Sequence, residues 1–260
     1  MANCECVAPL SIRYSLCAIH IIEPHLAMDY TYLDIAKMID HSLLNPTLTS
    51  EALEQGIRLS LAYDVASVCI MPYALKGCAE LLAGSTVKAS TTVGFPHGGQ
   101  KTAVKVAEAL QALDDGGQEL DMVVNISKVL SGHWDYVRAD IAAVIEPIHA
   151  RGQKVKVIFE NAYLNDDQKI RLCAICGDLG ADWVKTSTGY APGGATHEDL
   201  KLMRAHTPAH VQVKAAGGVR TLDALLAVRA LGVSRAGATR TQTMLDECKR
   251  RLGMVLDFGF

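Results

Sequence analysis

From about residue 30 onward, short apolar runs rich in β-branched residues alternate with longer stretches whose apolar positions recur at helical spacing. The short runs predict strands at residues 37–41, 65–70, 88–93, 119–125, 154–160, 182–187, 211–216 and 233–238. Between them, Thr49-Ser50-Glu51-Ala52 reads as the opening of a helix, and Gly84, Gly116-Gly117, Gly152, Gly180 and Gly232 stand where later helices should stop. Strand followed by helix, eight times over with no break in composition, predicts parallel βαβ units. Eight such units with right-handed crossovers match the size of a closed α/β (β/α)8 barrel, the TIM barrel. An open doubly wound sheet is the competing architecture, but no Gly-x-Gly-x-x-Gly sits at a first strand–helix turn to support a dinucleotide site. Residues 1–29 stand outside the repeat as an N-terminal extension to a barrel domain at 30–260. The extension is expected to be an added helix under the barrel, an oligomer contact, or disordered.

Composition narrows the class. Half of the 260 residues are apolar and a fifth are charged, as in an ordinary globular chain, and aromatics at 5% leave the core to Val, Ile, Leu, Ala and Met. The formal charge of −3, with no long run of one sign, argues against nucleic acid or an anionic membrane as the main partner. Small anionic substrates are compatible with it. The apolar stretch at 16–22 is too short to span a bilayer and does not read as a secretory signal. The eight cysteines are accordingly expected as reduced thiols in a cytoplasmic protein. Cys173-Ala-Ile-Cys176 has no second pair to complete a zinc site, and Cys4 and Cys6 fall in the extension, so no metal and no cofactor are expected.

Parallel strands covered on both faces should be almost continuously apolar. These are interrupted: Asp121 and Asn125 share one face of the fourth strand, Lys156 and Glu160 one face of the fifth, and Lys185 and Ser187 one face of the sixth. Lys214 lies in the seventh, Asp40 in the first and Cys69 in the second, all read as lying in the C-terminal halves of their strands, where barrel active sites are built. One lysine near a strand end would read as a solvated rim residue. Three on consecutive strands, with carboxylates facing them, read as a polar pocket, because ionised groups inside a barrel are costly unless paired.

Two inward lysines on adjacent strands suggest amine chemistry. A neighbouring cation and partial desolvation both lower a lysine pKa and leave some free amine near neutrality. That amine condenses with a carbonyl to a Schiff base, whose protonated form is an electron sink for making or breaking the neighbouring C–C bond. A carboxylate such as Asp121 could move the protons. Gly217-Gly218 after the seventh strand and Gly237 after the eighth, each just before a helix, suit a phosphate held by backbone amides.

These motifs resemble the deoxyribose-phosphate aldolase family over nearly all of residues 37–245. Val184-Lys-Thr-Ser-Thr-Gly189 and Val213-Lys-Ala-Ala-Gly-Gly-Val-Arg220 are the most specific pieces. They are supported by Asp40-His-Ser-Leu-Leu44, Val68-Cys-Ile-Met-Pro72, Val93-Gly-Phe-Pro-His-Gly98, Glu119-Leu-Asp-Met-Val-Val124 and Lys156-Val-Ile-Phe-Glu160. The resemblance implies a metal-independent class I aldolase that reversibly cleaves 2-deoxy-D-ribose 5-phosphate to D-glyceraldehyde 3-phosphate and acetaldehyde. It makes Lys185 the Schiff-base lysine, Lys214 the second lysine that perturbs it, and Asp121 the relay carboxylate. Asp40 is implied beside Lys214, Lys156 at the substrate hydroxyls and Cys69 in the site. Thr188, Gly189, Gly217, Gly218, Gly237 and Thr239 complete the implied substrate-binding set, and the assembly is expected as a homodimer or homotetramer. Arg240 departs from the family pattern by replacing a hydroxyl residue: it either contacts the phosphate or points to solvent. Two other classes share parts of this pattern: barrel aldolases that use a ketone donor, and a non-catalytic sugar-phosphate-binding barrel. The paired lysines and the Gly-Gly-Val-Arg turn argue against the first, and an imine-forming amine, which mere binding does not need, argues against the second.

Overall fold

The computed structural model describes Met1 and residues 29–255. The expectations for the extension, including Cys4, Cys6 and the 16–22 stretch, lie outside these residues except at its two ends. Eight parallel strands close into one barrel in chain order: β1 (Ile39–Leu43), β2 (Ser67–Ile70), β3 (Lys88–Val93), β4 (Glu119–Val123), β5 (Lys154–Ile158), β6 (Trp183–Lys185), β7 (Gln212–Ala216) and β8 (Arg235–Ala238). Closure is direct, since β8 pairs with β1 through Ile39↔Ala236 and Asp40↔Gly237, which excludes the open sheet.

The helices are α1 (Tyr32–Ala36), α2 (Ser50–Ala62), α3 (Leu75–Leu81), α4 (Thr102–Asp114), α5 (Ile126–Leu130), α6 (Trp134–Ala150), α7 (Asp166–Leu179), α8 (His197–His206), α9 (Leu222–Ala230) and α10 (Thr241–Arg251). Local chemistry sets their ends. The Thr49 hydroxyl accepts from the Ala52 amide to open α2, and Gly180, at φ +72°, closes α7 in the left-handed conformation that glycine adopts without penalty. Cys173 and Cys176 are buried free thiols on α7, so their spacing marks a core-facing helix stripe.

All eight strands are present, with edges that differ for identifiable reasons. The first begins at Ile39 because a Thr31–Asp34 capping box nucleates α1 and carries the chain to Lys37 as its C-cap. The fourth stops before Asn125, whose side chain caps α5, and the fifth stops before Glu160, which turns left-handed at φ +59°. The sixth ends at Lys185, and past it the Thr186 hydroxyl bridges to β7, donating to the Ala216 carbonyl and accepting from the Ala216 amide.

The strand period of two separates two shells. Leu120, Met122, Val155, Val157, Val184, Val213 and Ala215 are fully buried beneath the helices, while Asp121, Lys156, Lys185 and Lys214 alternate with them and turn inward. A buried ion pair ties the outer layer together. Lys105 of α4 lies 2.6 Å from Asp140 of α6 and donates to the Val123 carbonyl at 2.9 Å. Asp140→Ala would strand the Lys105 charge, and urea denaturation is expected to show a loss of about 3–5 kcal/mol.

Candidate active site

Lys185 and Lys214 stand directly opposite each other in the β6–β7 register. A carboxylate lies between them. Asp121 on β4 accepts from Lys185 at 2.7 Å and from Lys214 at 2.8 Å through the same Oδ2, and from Lys156 at 2.9 Å through Oδ1. Asp40 Oδ2 is 2.5 Å from Lys214, an ion pair whose angle lies outside hydrogen-bond geometry. Beneath this layer, Arg235 reaches Asp40 at 2.5 Å and Glu119 at 2.9 Å, and Glu119 lies 2.7 Å from Lys156.

This packing separates the behaviour of the lysines. Burial lowers the Lys185 pKa, and the Lys214 charge adds to the lowering against the pull of Asp121. Lys214 is also buried, but Asp121 and Asp40 outweigh desolvation and raise its pKa. Asp121 is held well below the usual carboxylate range: burial opposes this, but Lys156, Lys185 and Lys214 prevail. The arrangement is thus a free-amine candidate beside an ionised carboxylate and a committed ammonium.

Above it lies a cavity of about 430 Å³, lined by Asp40, Cys69, Lys185, Lys214, Thr188 and Gly189, and on its far side by Gly217, Gly218, Gly237, Thr239 and Arg220. Its size suits a small phosphorylated sugar. Cys69 is a buried thiol whose pKa is raised by desolvation, so it stays protonated at neutral pH. Glu160 fixes the rim: its carboxylate accepts from both the amide and the hydroxyl of Thr188. Tyr190 follows, donating to the Leu44 carbonyl at 2.6 Å and meeting the Phe95 ring edge-on. Gly217, at φ +77°, packs against Gly194 so closely that a Cβ on Gly194 would come within 2.7 Å of the Gly217 backbone. The loops after β6 and β7 are locked together there, with Ala195 donating to the Ala216 carbonyl.

Several sequence expectations change in position. Asp40, Asp121 and Lys156 occupy second or central places in their five-residue strands rather than the C-terminal halves, which puts Asp121 and Lys156 below the cavity floor. Lys156 is fully buried among carboxylates and does not line the cavity. Gly237 is within β8, not beyond it, and Arg240 is an exposed residue at the N-cap of α10, outside the lining. Glu119, Arg235, Ser42 and Asn45 were not singled out. Glu119 and Ser42 each sit two residues from a chosen aspartate on the same strand face, so the period of two carried a signal for both.

A family model described as DeoC/LacD family aldolase matches residues 34–251. The deoxyribose-phosphate aldolase of Rhodopirellula baltica is 66% identical over 226 residues, covering 87% of this chain and 94% of that protein. Among solved structures, a putative deoxyribose-phosphate aldolase from Coccidioides immitis superposes with a TM-score of 0.81 at 31% identity, covering 88% of this chain and 91% of the other. The deoxyribose phosphate aldolase from Aeropyrum pernix gives 0.78 at 27%, covering 84% and 92%. With the barrel, the lysine pair and matches that run almost end to end, the chain belongs to the DeoC/LacD family of aldolases.

Proposed function

We propose that the cavity above Lys185 is where 2-deoxy-D-ribose 5-phosphate is cleaved to D-glyceraldehyde 3-phosphate and acetaldehyde, with Lys185 as the Schiff-base amine. The chain is a deoxyribose-phosphate aldolase on the strength of its relatives; the roles of its residues follow the family motif and are supported by geometry. One observation carries it: a buried lysine of lowered pKa at the cavity floor, 2.7 Å from an ionised carboxylate.

The steps follow from these positions. Lys185 Nζ adds to C1 of the open-chain sugar, and loss of water gives the protonated imine. The C3 hydroxyl gives up its proton through a water to Asp121, the C2–C3 bond breaks, and its electron pair passes into the imine to form an enamine. Glyceraldehyde 3-phosphate departs, C2 takes a proton, and water releases acetaldehyde and restores the amine. Lys214 stays protonated and holds Asp121 in place, while Asp40 holds Lys214. Lys156 serves by anchoring the second oxygen of Asp121, a role beneath the substrate. Cys69, Thr188 and Gly189 contact the sugar. The scheme calls on no metal or cofactor, because the protonated imine is itself the electron sink.

The phosphate belongs at Gly217, Gly218, Gly237 and Thr239, with Arg220 beside them. Arg220→Ala is expected to raise KM for the phosphorylated sugar roughly five- to tenfold, a modest effect because an exposed guanidinium is screened. Unphosphorylated deoxyribose should be little affected, and Arg240→Ala should change neither. A dehydrogenase-coupled assay with both sugars measures this, and a larger effect at Arg240 would move the phosphate to the start of α10.

The same reading places the enzyme in the cytoplasm as an assembly of two or four copies. It is supported by five free thiols among the described residues, by the absence there of any helix long and apolar enough to cross a membrane, and by the tetramer described for the Aeropyrum pernix relative.

A further inference from the structure

We propose that Arg235, at the end of the barrel away from the cavity, is a positioning residue that sets the protonation of Lys185 by leaving the sealed cluster with one cation in excess. The inference rests on the reading of Lys185 as the reacting amine. Inside the barrel, four cationic side chains, Lys156, Lys185, Lys214 and Arg235, meet three carboxylates, Asp40, Glu119 and Asp121. The lysines and carboxylates are all less than 5% exposed, and Arg235 is 13% exposed. Such a cluster does not tolerate an unbalanced charge and relieves it by releasing a proton. Arginine cannot be the group that releases it, so Arg235 is a fixed charge.

The contacts decide which lysine yields. Lys156 lies against three carboxylates, at 2.7 Å from Glu119, 2.9 Å from Asp121 and 3.6 Å from Asp40. Lys214 has two, Asp40 and Asp121. Lys185 ends the chain with one carboxylate oxygen, Asp121 Oδ2, and shares it with Lys214. The titratable and charged neighbours of Lys185 are therefore Asp121 from β4, Lys214 from β7 and the protonated Cys69 from β2. Arg235 faces Asp40 from β1, Glu119 from β4 and Lys156 from β5, and stacks on the Trp183 ring at 4.9 Å. Lys37, Lys88 and Lys154 line the outer mouth beside it, the first paired with Asp64 and the last with Asp182. The three lysines, Lys214 included, would balance the three carboxylates. The surplus enters with Arg235.

Two charge-removing changes that lie away from the substrate should then move Lys185 in opposite directions. In the full chain, acetaldehyde condenses with the Lys185 amine, losing water, and cyanoborohydride delivers hydride to the imine. The pH midpoint of this trapping, localised by peptide mass spectrometry, reports the free amine. Arg235→Gln removes the surplus and should raise the midpoint by about one pH unit, whereas Glu119→Gln enlarges it and should lower the midpoint similarly. Arg235→Lys restores the charge and should return the midpoint toward that of the parent. Unchanged midpoints, or shifts in the same direction, with the adduct still on Lys185 overturn the inference and leave the Schiff-base assignment standing. An adduct on Lys214 or Lys156 with Lys185 unmodified overturns both. If Arg235→Gln does not fold, Glu119→Gln decides alone: a downward shift supports the inference, and no shift or an upward one defeats it.

Discussion

Asp121→Asn is expected to lower kcat by roughly 10²–10⁴, the usual cost of losing a general acid–base group. The loss should persist across the pH range. Asp121 stabilises the charged form of Lys185, so its removal lowers the pKa of that amine further and increases the supply of nucleophile. If amine supply limited the rate, the variant would gain activity in acid. A loss at every pH therefore isolates proton transfer, for which the amide has no basic oxygen. The Asn side chain keeps the shape but leaves Lys156 and Lys214 less compensated, so circular dichroism on the same sample should accompany the kinetics. Near-normal turnover would remove Asp121 from the mechanism.

Lys214→Met should produce a loss of a different kind. Lys185 reacts as the free amine, present above its pKa, and the Lys214 charge is one of the causes that lower that pKa. Taking the charge away raises it, so the acid limb of kcat/KM moves to higher pH. At pH 7 the expected fall is about ten- to a hundredfold, corresponding to one to two pH units, with substantial recovery as the pH is raised. The recovery separates Lys214 from Asp121: one governs how much amine is available, the other what happens after the imine forms. A loss that does not vary with pH would instead make Lys214 a proton donor or a structural tie.

The barrel was legible because its strands alternate so regularly with helices, and because inward lysines break runs that would otherwise be apolar. Less legible were the short elements that depend on a single cap. Helix α1 rests on the Thr31–Asp34 box, and the early ends of β4 and β5 rest on a capping Asn125 and a left-handed Glu160. Each is a local capping or backbone preference that overrides strand propensity. In the site, the identities of Lys185, Lys214 and Asp121 were available from pattern and motif, but depth was not. Alternation tells which face a residue occupies, not how far along the barrel axis it lies, so Lys156 was expected at the substrate and is found among Asp121, Glu119 and Asp40. The role of Arg235 is not legible in the sequence for a different reason. Its partners come from β1 and β4, far away in sequence, and only closure of β8 onto β1 brings them together.

Lys185 should carry the covalent intermediate. Incubating the enzyme with deoxyribose 5-phosphate and sodium borohydride, then digesting and mapping it by mass spectrometry, tests this directly. Reduction of the acetaldehyde imine should leave a single ethyl group on Lys185 and abolish activity in proportion. An ethyl group on Lys214 or Lys156, with Lys185 unmodified, would place the imine on a different lysine.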